Sequence, residues 1–170
     1  MATFAQQVEE DLLAHHARLE AGEITTEEFI LVATALLVRA NARGVALADL
    51  AAAAELSALR GIAVPAIGLP VPEGIEEATT GAVEETLTSA SYVAGAAAAV
   101  AVLGRSQALS AVQVAYGTAL QQQGADGWTR VLNTGACELC QDLAGDVLPT
   151  DTPMYHHKGC GCSQRPVEIN

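Results

Sequence analysis

Aromatic side chains are scarce in this sequence: Trp, Tyr and Phe make up 4% of its 170 residues, although 51% of the residues are hydrophobic. Much of the hydrophobic fraction is alanine, which is the strongest helix former and buries little area per side chain. The composition therefore excludes a disordered chain and predicts long, closely approaching helices. A chain of this length is expected to form one domain, or one domain with a small appended module.

Basic residues are also few. The chain has 8 Lys and Arg residues against 20 Asp and Glu residues, which gives a formal charge of −12. A protein that neutralises many phosphates needs a basic face. We therefore do not expect the surface as a whole to bind nucleic acid, and its acidity would repel packed DNA.

No long apolar run is visible. The most apolar run, at positions 90–104, is rich in alanine and shorter than the roughly 20 residues of a membrane-spanning helix. The N-terminus is acidic and lacks the charged-then-apolar pattern of a signal peptide. We therefore expect a soluble protein that is made in a cytosol and has no membrane partner.

Helical patterns dominate positions 1–124. Apolar residues recur at helical spacing over positions 3–21, and Thr25 or Thr26 can cap the next helix. Because glycine fits the left-handed position that closes helices, the pattern predicts helix ends at four further glycines after Gly22. These glycines are Gly44, Gly61, Gly104 and Gly124.

Proline interrupts the helical region once. Pro65, Pro70 and Pro72 lie in a short stretch, so about 62–74 is predicted to be an extended connector. It is either a loop packed on the helices or a hinge between two helical layers. Helical composition resumes at Ile75, with Gly81 and Gly95 as weak points.

The amino-acid composition changes after Gly124: the chain becomes rich in glycine, proline and threonine and contains short runs compatible with β-strands. We therefore place a boundary there, with a helical region at 1–124 and a C-terminal module at 125–170. The predicted fold is mainly α: an alanine-rich helical bundle or extended helices, followed by a small zinc-stapled α+β module.

Cysteine is absent from the first 136 residues and then occurs four times. The four cysteines form a C-x2-C pair and a C-x-C pair, which nineteen residues separate. A disulfide framework needs an oxidising compartment, which nothing here suggests. A redox C-x-x-C would leave the second pair without a role. A structural zinc site needs two short ligand clusters joined by a loop, and its folding free energy would compensate for a small core. We favour zinc over the other two interpretations.

Five candidates compete for four zinc positions. They are Cys137, Cys140, His157, Cys160 and Cys162. The two cysteines of the C-x2-C pair are the strongest ligand candidates. We also favour His157 as a ligand. His156 is assigned to the surface or to the surroundings of the site. A full set of four protein ligands favours a structural role over catalysis. Glu138 and Asp142 are interpreted as solvated carboxylates.

The tail resembles the C-terminal signature of phage head morphogenesis proteins, the Mu F-like minor head protein family. That signature has a tryptophan and an arginine before C-x2-C, then aspartate, leucine and glycine, then H-x-x-C-x-C and a proline–valine ending. Beyond the five candidate ligands, its residues here are Trp128, Arg130, Asp142, Leu143, Gly145, Pro166 and Val167. The resemblance covers about the last 45 residues. Lys158 and Gly161 stand where the family often has proline and arginine.

The resemblance implies a structural and assembly role as a minor capsid protein of a tailed bacteriophage. Its partners would be the portal protein and the major capsid or scaffold protein. Its location would be the head interior or the portal vertex of the virion, and the host cytoplasm during assembly. Packaged DNA would lie nearby, without direct binding. We predict that the chain is not an enzyme.

Two alternatives remain. The first is a capsid maturation protease, although His15 and His16 fall in a predicted helix and the sequence has neither G-x-S-x-G nor H-E-x-x-H. The second is a nucleic-acid-binding zinc module. Its surface patch would consist of Trp128, Arg130, Tyr155, Lys158 and Arg165.

Overall fold

The computed structural model describes residues 2–155 and 157–168, so His156 lies outside the described residues. The fold is mainly helical, as predicted, and ends in a small α+β segment that holds the cysteines. Its elements are α1 (Ala2–Glu20), α2 (Thr26–Arg60), α3 (Ile75–Thr88), α4 (Ala90–Ala94), α5 (Ala96–Gln122), β1 (Gly127–Val131), α6 (Glu138–Asp142) and β2 (Ser163–Val167).

Local chemistry sets the predicted helix ends. Thr25 caps α2: its Oγ1 accepts a hydrogen bond from the amide of Glu28, and the Glu28 carboxylate accepts one from the amide of Thr25. This reciprocal pair satisfies two amides that the helix leaves free. Gly22, Gly61 and Gly124 close α1, α2 and α5 with φ of 69°, 66° and 65°. These three predicted ends are confirmed.

The predicted breaks at Gly44 and Gly104 are wrong, because α2 and α5 run through them. Gly104 lies where α1 approaches: a Cβ there would be 3.2 Å from the Cα of Glu9 and 3.3 Å from Leu12 Cδ2. The glycine therefore serves close helix packing instead of termination. The predicted weak point at Gly95 is a true break between α4 and α5, whereas Gly81 lies inside α3.

Valine substitutions at two glycines test this close helix packing. Gly104→Val forces side-chain atoms into the backbone of α1, and we expect it to lower the free energy of unfolding by about 1–3 kcal/mol. Gly81→Val is the control, because a Cβ at Gly81 meets nothing within 4 Å, and its effect is expected to stay within about 0.5 kcal/mol. Urea unfolding monitored by circular dichroism measures both; equal losses in the two variants would contradict the close approach.

The chain divides into two compact units. The first comprises Met1–Ala42 and Val71–Leu109, and the second comprises Arg43–Pro70 and Ser110–Asn170. The predicted boundary at residue 124 therefore lies inside the second unit. It coincides with the change from helix α5 to strand β1. The second unit joins the cysteine-containing segment to the C-terminal parts of α2 and α5.

The first unit has a core of small and medium-sized side chains, as the alanine-rich composition predicts. Its buried members are Ala5, Val8, Leu12, Phe29, Ala33, Leu36, Leu37, Ala40, Val83, Val100, Leu103, Ala108 and Leu109. His16 is buried beside it: its Nε2 lies 3.0 Å from the Tyr92 hydroxyl, and its ring stacks edge-on against Phe29 and Tyr92.

The connector is extended, as predicted, and is held by the second half of α2. The Asp49 carboxylate accepts hydrogen bonds from the amides of Ile67, Gly68 and Leu69 at 3.0, 2.7 and 3.2 Å. Ser57 Oγ accepts a further one from the amide of Val64. Within the second unit, the connector is thus a loop packed on a helix.

Asp49 makes the stability of this contact pH-dependent. Burial alone would raise the pKa of Asp49, but the three amide hydrogen bonds outweigh it and lower the pKa. A lowered folded-state pKa gives stability that is present above the ordinary pKa of about 3.9 and is lost as the pH falls below it. Asp49→Asn should therefore be less stable than the native chain at pH 7, with the difference shrinking by pH 3. A constant difference in chemical unfolding at both pH values would oppose this.

The two strands form an antiparallel pair with Trp128 opposite Pro166. On its other side, Trp128 exchanges two backbone hydrogen bonds with Leu148, both 2.8 Å long. Its indole Nε1 donates to the carbonyl of Thr152, and its side chain is buried. This small sheet fixes the chain on either side of the cysteines.

Within the described ranges 2–155 and 157–168, two helices are long and apolar enough, by length and composition, to cross a membrane. Their most apolar windows, in Thr26–Arg60 and Ala96–Gln122, have mean hydropathies of 1.5 and 1.2 and are 44% and 33% buried. The apolar run at positions 90–104 does not predict them, because it covers only part of α5 and none of α2. Core helices of soluble proteins pass the same test, so the expected lack of a membrane partner stays a prediction.

Candidate metal centre

The sheet and one short helix bring the two cysteine pairs together. Cys137 stands at the N-terminal cap of α6 and Cys140 within this helix, after the loop that leaves β1. His157, Cys160 and Cys162 lie on the loop that leads into β2, where the amide of Cys160 donates to the carbonyl of His157. Because β1 and β2 are paired, the loops at this end of the sheet meet.

The candidate atoms form two overlapping groups. One contains Cys137, Cys140 and His157, and the other contains Cys140, Cys160 and Cys162; within each group the ligand atoms lie within 4.8 Å of one another. All five predicted candidates therefore lie in one cluster, and Cys140 belongs to both groups. Cys137 is exposed, and the other three cysteines are buried.

The spacings match those around a tetrahedral metal ion. Zinc–sulfur bonds of about 2.3 Å and zinc–nitrogen bonds of about 2.0 Å separate neighbouring ligands by about 3.8 Å (S–S) and about 3.5 Å (S–N). Cys140 Sγ and Cys160 Sγ are 3.7 Å apart, and His157 Nε2 lies 3.2 Å from Cys137 Sγ and 3.8 Å from Cys140 Sγ. The cluster is thus compatible with a bound metal.

Backbone amides support thiolates at two positions. The hydrogen bond from the amide of Cys140 is the main cause that lowers the pKa of Cys137. Burial raises the pKa of Cys160, but the amide of Cys162 and neighbouring groups outweigh it, so the net pKa is lowered. Amide-to-sulfur bonds stabilise the deprotonated sulfur that binds metal.

The thiol of Cys140 needs a neighbouring positive charge to lose its proton, because its pKa is raised. Burial, followed by the contacts with the other thiols, raises its pKa to about 12. A buried thiol of this kind becomes a thiolate ligand when a cation binds to it, because the metal compensates for the lost hydration. The position at the centre of the cluster is therefore the one that most needs a metal ion.

His157 is oriented for binding through Nε2. Its Nδ1 lies 3.1 Å from the carbonyl oxygen of Lys158, to which it donates. This hydrogen bond is the first cause that raises the pKa of His157, followed by the contact with Cys137. A ring that donates through Nδ1 directs the lone pair of Nε2 towards the cluster, as in many metal sites.

Arg130 offers an independent indication of negative charge in the cluster. Its side chain is only 6% exposed, Nη1 lies 3.7 Å from Cys140 Sγ, and Nη2 donates to the carbonyl of Tyr155 at 2.6 Å. Its Nε is buried and has no hydrogen-bond partner among the residues that the structure describes. A buried guanidinium requires a compensating anion, and thiolates held by a metal provide one.

Gln113 of α5 supports the C-x-C loop and was missed in the sequence. It is 4% exposed, and its Nε2 donates to the carbonyls of Cys160 and Cys162 at 3.1 and 2.7 Å. The available signal was a polar residue within the apolar stripe that contains Leu109, Tyr116 and Leu120. A buried amide on such a stripe has to find polar partners elsewhere in the fold.

We predict that Gln113→Leu weakens metal binding by about 10- to 100-fold, because groups that orient the ligands contribute on this scale. Both carbonyls lose their donor, and the loop that carries two candidate ligands loses its attachment to α5. Gln121→Leu is the matched control, since Gln121 is exposed on the same helix. Competition with a chromophoric chelator measures the affinity, and equal affinities for the two variants would rule out this role.

The other signature residues differ in their exposure to solvent. Pro166 is buried in β2, while Asp142 and Gly145 are exposed, with Gly145 at a φ of 105° that suits a tight turn after α6. Glu138 is exposed, which agrees with the interpretation of Glu138 and Asp142 as solvated carboxylates.

The predicted nucleic-acid patch does not form as one surface. Trp128 and Arg130 are buried, and only Tyr155, Lys158 and Arg165 of the five predicted members are exposed. The expectation that Trp128 and Arg130 are surface groups is wrong, because both side chains are buried. The structure places both against the interior of the cysteine-containing segment.

Comparison of the chain with family models, with curated proteins and with solved structures finds no match. The likeness to head morphogenesis proteins therefore rests on the signature residues of the tail.

Proposed function

We propose that the cluster binds one zinc ion. The donor set supports this choice, because thiolate sulfur and imidazole nitrogen in tetrahedral spacing favour zinc over the hard cations that prefer oxygen. The cluster offers four sulfurs and one imidazole. Metal analysis of the purified chain should find one equivalent of zinc, and a folded chain without metal would refute the proposal.

The zinc acts as a structural element in this proposal. Catalytic zinc usually has three protein ligands and an open position for water. Here the candidate ligands outnumber the four positions, and three of the cysteines are buried. Such a site holds the loop after β1 to the loop before β2 and leaves no coordination position for a substrate.

We further propose that the chain is a structural assembly protein of a tailed-phage head, a minor capsid component that contacts the portal and the capsid or scaffold protein. The observation that carries this proposal is the burial of two signature residues in the cysteine-containing segment: Trp128 is buried within it, and buried Arg130 lies against Cys140. The segment also exposes apolar side chains suited to docking. These are Leu132, Leu139, Leu143, Val147 and Tyr155.

The test uses virions and procapsids of the phage that encodes the chain. Mass spectrometry should detect the chain in both, and the purified chain should bind the isolated portal. Absence from both particles would refute the assembly role.

A matched pair of variants identifies the docking surface. Leu139→Lys on α6 should reduce portal binding by at least about tenfold, as expected for an apolar anchor in an interface. Leu31→Lys is the control, because Leu31 is exposed in the first unit. Unchanged Trp128 fluorescence in both variants would show that the fold is retained, and equal binding would exclude this surface.

A further inference from the structure

We infer that the cysteine cluster can hold two copper(I) ions, one in each of its two groups of ligand atoms, with the Cys140 sulfur bridging them. The outer group is Cys137, Cys140 and His157, and the inner group is Cys140, Cys160 and Cys162. The inference rests on the proposed metal site. It adds a second class of ion, the soft monovalent cation, to the zinc proposed there.

The first argument is the division of the cluster. Around one tetrahedral zinc ion, every ligand atom lies about 3.5–3.8 Å from every other. Cys140 is the only residue that the outer and inner groups share; among the residues that the structure describes, no other member of one group is grouped with the other. A single ion therefore has to draw the two groups together, whereas two ions that share Cys140 need contacts only within each group.

The number and type of ligands in each group fit copper(I). The inner group supplies three sulfurs, and the outer group supplies two sulfurs and one imidazole nitrogen. Thiolate sulfur selects copper(I) as well as zinc. Zinc requires a fourth ligand, whereas the monovalent ion is satisfied by a trigonal set. All three residues of the inner group are buried, which limits the access of a water molecule that could serve as a fourth ligand.

The distances inside each group allow a trigonal set. Metal–sulfur bonds as long as those of zinc, about 2.3 Å, separate the sulfurs of a trigonal plane by about 4.0 Å. In the inner group, Cys140 Sγ lies 3.7 Å from Cys160 Sγ. In the outer group, Cys140 Sγ lies 3.8 Å from His157 Nε2. Cys140 thus has a second ligand atom at suitable spacing in both groups, as a bridging sulfur requires.

The two groups are attached to different parts of the second unit. Gln113 Nε2 donates to the carbonyls of Cys160 and Cys162, so α5 holds the loop that carries two inner sulfurs. In the outer group, Cys137 stands at the N-terminal cap of α6. Because these attachments are separate, each group can hold its own ion without a rearrangement of the other.

Charge balance permits the exchange of one zinc ion for two copper(I) ions. Two Cu⁺ ions carry the same total charge as one Zn²⁺ ion, so the net charge of the same four thiolates is equal in both loaded forms. Arg130 Nη1 lies 3.7 Å from Cys140 Sγ and offsets part of the negative charge at the shared sulfur. A buried charge without such a partner is costly. The charge of the surroundings therefore suits both loaded forms.

Titration of the zinc-loaded full chain with copper(I), buffered by the chelator bathocuproine disulfonate without oxygen, tests the inference. We expect saturation at two copper ions per chain with release of the zinc. X-ray absorption should then show a sulfur-rich shell and a short copper–copper vector. Saturation at one copper ion, or the lack of this vector, would overturn the inference and leave the zinc proposal intact. A chain that binds two copper ions but no zinc would refute the zinc proposal alone.

The fold has to be monitored in the same titration, because copper(I) also binds to the thiols of an unfolded chain. Limited proteolysis of the segment after Gly127 should be equally slow in the copper-loaded and zinc-loaded chains. Digestion of the copper-loaded chain as fast as the metal-free chain would overturn the inference, since the folded cluster would then not hold the ions.

Three serine variants locate the two ions. Cys137→Ser and Cys162→Ser each remove a ligand from one group, so each should retain one copper ion and lose the copper–copper vector. Cys140→Ser removes a ligand from both groups and should weaken copper binding by at least about 100-fold. Met154→Leu is the control, because Met154 is buried and carries the only other sulfur after Gly127; it should retain two ions. Native affinity in Cys140→Ser would refute the shared sulfur.

Discussion

Removal of zinc by a strong chelator is expected to expose Trp128 and to unfold the segment that follows Gly127. The buried apolar residues of this segment, among those that the structure describes, are few: Trp128, Cys140, Met154, Cys160, Cys162 and Pro166. Three of them are candidate ligands, so the interior would depend on the proposed zinc ion. Zinc contributes roughly 10 kcal/mol or more to the folding of small zinc-finger peptides, which is more than this core can supply alone.

Trp128 makes the measurement selective, because it is the only tryptophan in the sequence. Its emission should shift to longer wavelength on chelation and return on addition of zinc, with no recovery on addition of magnesium. The helical ellipticity from α1 to α5 should change little. A native emission spectrum in a chain shown to be free of metal would contradict the zinc-dependent fold.

Replacement of Arg130 is expected to have the next largest effect. Arg130→Met removes the charge beside Cys140 and the donor to the Tyr155 carbonyl, and we expect zinc affinity to fall by about 10- to 100-fold. The side chain of Met fills much of the same volume, so the loss reports on charge and hydrogen bonding more than on packing.

Arg165→Met is the matched control for this variant. Arg165 lies on β2 opposite Thr129, and its side chain is exposed, so zinc affinity should stay within about twofold of the native chain. Arg130→Lys should recover part of the loss, since it restores the charge without the second donor. Equal affinities of the Arg130 and Arg165 variants would show that the buried guanidinium does not support the site.

The clustering of the cysteines and His157 could be predicted from the sequence because its signal is local. The C-x2-C and C-x-C pairs each fix two sulfurs at short range, and cysteine is absent elsewhere in the chain. Thr25 with Glu28 is local in the same way, since both partners lie within one helical turn. These features require no knowledge of how distant parts of the chain pack.

The contacts that the sequence did not reveal join distant residues. Gln113 meets the carbonyls of Cys160 and Cys162, and nothing near Gln113 in the sequence identifies these partners. Gly104 was read as a helix end because a glycine that closes a helix and one that admits a neighbouring helix look alike in a single sequence. Arg130 was assigned to the surface for a similar reason, since only the fold shows that it is buried.

The unequal exposure of the four cysteines would set an order for exchange of the proposed metal ion. Because Cys137 alone among them is exposed, water, chelators and oxidants reach its sulfur before the other three. An incoming ion would meet Cys137 first, and a departing ion would break that bond first. The lifetime of the bound ion should therefore depend on this one outer bond, and a partner that covers Cys137 would slow the release of the metal.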